Sequence, residues 1–282
     1  MKPVSFFRVA FLGLVLGGAT VARAQGGMPD LSDFGGAIEK KSQAVAAQKT
    51  PSKGVFKTSL SVPSVKPGEA AKGLIRAMRQ KMEEQAKVDP AYNKPEFLNA
   101  FRSLENDMPR VLSGVEAGME KEGFAKRDMG VAAGAVFTTL YETANNVKLS
   151  DQADKVACKA MASVAETAWG PKWKTLAPAA KEGAYEKLLT STAFMSLMAD
   201  VMAKGNKPDD EATFRQQAAK LFETLVGTAP SQVKIADDGT ISGIAKTQDA
   251  ATDAPATDAP ATETPATGAP ATGAPDAGDL GQ

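Results

Sequence analysis

The chain has 282 residues, with 33 basic and 33 acidic side chains, one cysteine and no histidine. Balanced charge lacks the strong positive field of a nucleic-acid binder, and a lone cysteine forbids any disulfide within the chain. The absence of imidazole removes the commonest general base, the serine and cysteine triads that depend on it, and the usual catalytic zinc sites.

Residues 1–24, MKPVSFFRVAFLGLVLGGATVARA, carry Lys2 and Arg8, an apolar run and then Ala22-Arg23-Ala24. This is the pattern of a signal peptide cleaved after Ala24, and it predicts a periplasmic or secreted protein. No later stretch approaches the roughly 20 apolar residues needed to cross a bilayer, so no stable membrane insertion is expected after cleavage. Residues 25–66 read as an N-terminal arm or linker. Within them "QGGMPDLSDFGG" is loop-like, a short helix is possible near 37–47, and "VFKTSLSVP" (55–63) alternates like a short strand or extended arm. Such an arm either packs poorly or lies across the domain.

Residues 67–245 have helical periodicity. Leu74, Met78 and Met82 share one face of the first helix, and Phe97, Phe101, Leu104 and Met108 share one face of the next. Asn106 or Asp107 before Pro109 predicts a fresh helix start, carrying Val111, Leu112, Val115 and Met119 up to Gly123. "RDMGVAAGAVFTTLYETANN" has Gly130, Ala133, Gly134 and Ala135 clustered, which predicts close approach by a neighbouring helix. Ser150 opens another helix, with a break expected at Gly170-Pro171. From 179 to 204 apolar residues cover most of the circumference, which predicts a central helix. The last helix ends at Gly227, and "QVKIADDGTIS" reads as a small turn. The expectation is an all-α fold: one bundle of about six or seven helices.

Residues 246–282 form an acidic Ala/Pro/Thr-rich tail with proline at 255, 260, 265, 270 and 275. Too little apolar surface remains there to offset ordering entropy, so a disordered spacer or solubilising tail is expected, with its threonines candidates for glycosylation.

Three stretches, "EGFAKRDMGVAAGAVF" (122–137), "KEGAYEKL" (181–188) and "FRQQAAKLFETLVGTAPSQVKIADDG" (214–239), together resemble a family of exported bacterial helical proteins known only as a domain of unknown function. Asp128 and Ala132 match its Asp-x-x-x-Ala helix start, and Glu186 matches the acid of its central helix; its last helix ends in Leu-x-Gly before a short turn. Glu182 departs from the pattern, standing where the family has glutamine. The resemblance covers about residues 70–243; it implies a single helical domain and supplies no activity.

Asp128 and Glu186 are the polar candidates for ligand binding. Two facing carboxylates could share a proton or hold a hard cation with help from Asn145 or Asn146; alternatively Asp128 caps a helix and Glu186 accepts a buried hydrogen bond or ion pair. Met195, Met198 and Met202 fall at i, i+3 and i+7, where thioethers could hold Cu(I) or, more commonly, fill core gaps. Trp169 and Trp173 could stack a sugar or a proline, or plug a corner between helices. Cys158 reads as a small buried hydrophobe. No phosphate loop follows a strand and no zinc or EF-hand spacing occurs, so no cofactor or metal is expected. The leading reading is a non-enzymatic binding or structural module of the envelope, acting on an unknown protein or component. A carrier of an apolar small molecule and a histidine-free carboxylate enzyme are the alternatives.

Overall fold

In a computed structural model the described residues are 35–47, 54–88, 95–205 and 208–244; the expected signal peptide and the acidic tail lie outside them. Among these residues are seven helices and one minimal hairpin. The helices are α1 (Gly35–Ala46), α2 (Glu69–Val88), α3 (Pro95–Lys121), α4 (Met129–Asn145), α5 (Asp151–Thr175), α6 (Pro178–Gly205) and α7 (Pro208–Val226). β1 (Lys234–Ile235) pairs antiparallel with β2 (Ile241–Ser242), joining Lys234 to Ser242 and Ile235 to Ile241. The fold is all-α, as expected.

The helix at the centre is α4, which packs against α5, α6 and α7. Its sequence explains this: from Met129 to Gly134 every residue is apolar or small, and all are buried. Gly134 is needed for the contact with α5. A Cβ there would stand 2.4 Å from the carbonyl oxygen of Cys158 and 2.7 Å from its sulfur, so only glycine lets the two backbones approach this closely. The 179–204 run, expected to be central, forms α6, but its apolar surface is not buried all round: Leu197 is 50% exposed.

Two expected breaks do not occur. α3 runs unbroken through Pro109, and α5 runs unbroken through Gly170-Pro171. A proline inside a helix removes one backbone bond and costs about 3 kcal/mol. In α3 that cost is offset by an apolar stripe continuing across the proline, with Met108, Leu112 and Met119 all buried. In α5 the flanking Trp169 and Trp173, one turn apart, are both buried and keep the helix in register.

Residues 35–47, within the expected N-terminal arm, belong to the same core. Ile38 of α1 is fully buried, α1 packs on α5 and β2, and the Ile241 amide donates to Ser42 Oγ at 2.9 Å. The Ile244 amide donates to Glu39 at 2.9 Å, so α1 and the C-terminal hairpin are tied together. After α1, residues 54–68 lie extended across the helices as a strap. It makes one isolated bridge at Phe56 with Phe124 and another at Ser61 with Asp128.

Candidate functional site

An extended segment outside any sheet must find partners for its backbone N–H groups, because a buried unpaired donor is costly. In the strap "VFKTSLSVPSVKPG" those partners are mostly side chains of the helices beneath it. Backbone pairing is sparse: the Phe56 amide donates to Gly123, Ala125 to Phe56, Val62 to Arg127, and Met129 to Leu60. Leu60 and Val62 point inward and are buried.

Asp128 holds the early part of the strap. Its Oδ2 accepts the Thr58 amide at 2.5 Å and its Oδ1 accepts the Thr58 hydroxyl at 2.7 Å. The same Oδ1 accepts the Val131 amide at 3.0 Å, which makes Asp128 the N-cap of α4. Next along, the Ser59 amide donates to Glu166 of α5 at 2.6 Å, and the indole N–H of Trp173 donates to the Ser61 carbonyl at 3.1 Å.

The later part is held by two acids one turn apart on α6. Glu182 accepts the Val65 amide at 3.0 Å and the Lys66 amide at 2.6 Å. Glu186, 2% exposed, accepts the amides of Gly68 at 2.5 Å, Ala70 at 3.1 Å and Ala71 at 3.3 Å. Those last donors are the otherwise orphan N–H groups at the start of α2, so Glu186 caps that helix from a different part of the chain. Gly68 makes the turn with φ +83°, and a Cβ there would meet the ring of Pro109 at 2.6 Å. The proline retained inside α3 thus forms the wall behind the start of α2.

Arg127 joins the two groups. It has a left-handed backbone, φ 52°, and its guanidinium donates to the Val62 and Pro63 carbonyls and to Glu182 at 2.8 Å. The guanidinium also lies 5.8 Å from the centroid of the Tyr185 ring. The Tyr185 hydroxyl accepts the Arg127 amide at 3.0 Å and donates to Glu116 of α3 at 3.0 Å. Burial, followed by the Glu116 charge, pushes the Tyr185 phenol well above its ordinary value, so it remains a neutral donor. Burial by itself would raise Glu182. The Lys66 and Val65 amides and the Arg127 guanidinium outweigh it, leaving this carboxyl below the ordinary carboxylate value.

Asp128 and Glu186 therefore do not form a facing pair. Asp128 binds at residue 58 and Glu186 at residues 68–71, and each already has three donors. The asparagines are elsewhere: Asn145 donates to the Tyr141 and Pro230 carbonyls, and Asn146 is the left-handed C-cap of α4. Among the described residues no group of three or more acid or cysteine side chains is placed to hold a metal ion. Trp169 and Trp173 are both buried, which leaves no ring face for a sugar. Met195 and Met198 are core residues, and the Met202 side chain lies outside the described residues. Cys158 is a buried free thiol whose pKa burial pushes far up, so it stays protonated.

A pocket of about 200 Å³ opens elsewhere, walled by Met119, Phe124, Val131, Thr138, Glu142 and Asp154 among others. Burial raises both carboxyls, Glu142 against the opposing Leu149 amide and Asp154 against the Thr138 hydroxyl, and their charges repel each other. None of the ligand-binding residues expected from the sequence lines this pocket.

Glu182, Arg127, Tyr185, Thr58 and Glu166 were not singled out as site residues. The spacing of Glu182 and Glu186, one helical turn apart on a largely apolar helix, was the available signal that both point the same way. No described helix is long and apolar enough to cross a membrane. No curated protein and no solved structure matches the chain. The chain belongs to a family of unknown function, DUF6683, whose model matches residues 16–240.

Proposed function

We propose that this protein is an exported, non-enzymatic helical module that binds a partner protein or component of the cell envelope through the surface of its bundle. The observation that carries the reading is the use made of its buried carboxylates. Asp128, Glu182 and Glu186, the buried acids among the described residues, each accept three donors and are committed to holding the strap and the starts of α2 and α4. A general base needs a lone pair facing substrate, and these acids face backbone amides. The leader-like residues 1–24 and the absence of histidine support the same reading.

Carriage of a small apolar molecule is the second reading. Its support is the pocket beside Phe124, which at about 200 Å³ is below the usual range of ligand pockets, roughly 300–1,000 Å³. Native mass spectrometry of protein taken from the exported fraction separates the two. The expected species starts at Gln25 and is either bare or accompanied by a stoichiometric protein. Retention of residues 1–24 would contradict export. An added mass on the order of a few hundred daltons, lost on denaturation, would replace the binding-module reading with the carrier.

A further inference from the structure

We propose that residues 54–68 are an acid-released strap, clamped onto the bundle while the carboxylates beneath it are ionised and let go when they take up protons, with the helices remaining folded. This goes beyond the binding-module reading and does not depend on it.

The inference starts from the donor count. Four acids, Asp128, Glu166, Glu182 and Glu186, receive the amides of Thr58, Ser59, Val65, Lys66, Gly68, Ala70 and Ala71 and the hydroxyl of Thr58. An ionised carboxylate only accepts, whereas a protonated carboxyl carries a donor on one oxygen. In Asp128, Glu182 and Glu186 both oxygens are already occupied by donors. A proton added to any of them removes the negative charge that strengthens these bonds and takes up a lone pair, so the hold on the strap weakens.

The surrounding charges decide where this happens. Arg127 is the cation facing Glu182 from the loop before α4, and it also lies 4.0 Å from Glu116 of α3. Tyr185 on α6 stays neutral between them. From α2, Glu69 and Lys72 pair with each other at the helix start. From the strap itself, Lys57 and Lys66 have exposed side chains. Because the folded-state pKa of Glu182 is lowered, its contribution to stability is complete above the ordinary carboxylate value and is lost as pH falls through the lowered one.

The helices beneath are held differently. Apart from the Asp128 cap on the Val131 amide, α4 and α5 rest on their own backbone ladders and on apolar contacts that protons do not change, so the strap is the segment with the lower opening free energy in acid. Its remaining attachments are the few backbone bonds at Phe56, Leu60 and Val62, the Arg127 guanidinium on the Val62 and Pro63 carbonyls, the Trp173 bond, the Phe56–Phe124 ring contact and two buried aliphatic side chains.

Hydrogen–deuterium exchange on the full chain, titrated from neutral pH into acid and corrected for intrinsic exchange, tests this. Peptides from 54–68 are expected to lose protection by about tenfold or more at a pH where α4 keeps its own. Glu182→Gln is expected to show the same loss already at neutral pH. Loss of protection in strap and α4 together, or strap protection unchanged across the acid range, would overturn the proposal. The unsubstituted chain decides this by itself if Glu182→Gln does not fold.

Discussion

Glu186→Ala is expected to lower the unfolding free energy by about 3–5 kcal/mol, because each buried donor left without an acceptor costs about 1–3 kcal/mol and three lose theirs. The substitution orphans the amides of Gly68, Ala70 and Ala71 and leaves a hole beside α2. A domain of this size shifts in melting temperature by about 2–4 °C for each kcal/mol, so thermal unfolding followed by circular dichroism reads the effect directly. Glu186→Gln keeps one accepting oxygen but turns an NH₂ donor toward amides, so a smaller loss is expected. The result that would contradict this role is a Glu186→Ala protein with unchanged melting that has lost a bound ligand.

Trp173→Ala is expected to cost about 3–5 kcal/mol, the usual figure for truncating a buried aromatic. The indole is 4% exposed and lies under the strap, with its N–H on the Ser61 carbonyl. Trp173→Phe removes the donor while keeping most of the ring, and about 1 kcal/mol of its cost is expected from that hydrogen bond. Denaturant melts of both variants separate packing from bonding. Were Trp173 a ligand platform, Trp173→Ala would melt close to the parent chain, because an exposed ring contributes little to the folded state.

The parts of this fold that were legible in the sequence are those set by periodicity and small-residue spacing. Gly130, Ala133 and Gly134 announced a close helix contact, and α5 approaches at Gly134. Asp128 read as a helix cap, and the Val131 amide bonds it. The prolines do not break their helices because tertiary contacts override local propensity: Pro109 packs on Gly68, and Pro171 lies between two buried tryptophans.

The strap network was the least legible part. Its bonds join residues 58 to 128, 65 to 182 and 68 to 186, and separations of that size leave no periodic trace. Glu182 departs from the family pattern, and in the structure it holds the strap together with Arg127. A carboxylate accepts a second backbone amide where a glutamine would bring a donor, which gives a physical meaning to the acid at this position.

The most direct test of the claim that these acids are structural acceptors is amide exchange by nuclear magnetic resonance at neutral pH, read at Val65, Lys66, Gly68, Ala70 and Ala71. These amides have no backbone acceptor, lying outside any sheet or in the first turn of a helix, where exchange is ordinarily fast. The expected result is protection approaching that of the α4 interior, lost at Gly68, Ala70 and Ala71 in Glu186→Gln. Exchange at the rate of an unstructured chain in the parent protein would contradict the account, since it would leave Glu182 and Glu186 free for some other purpose.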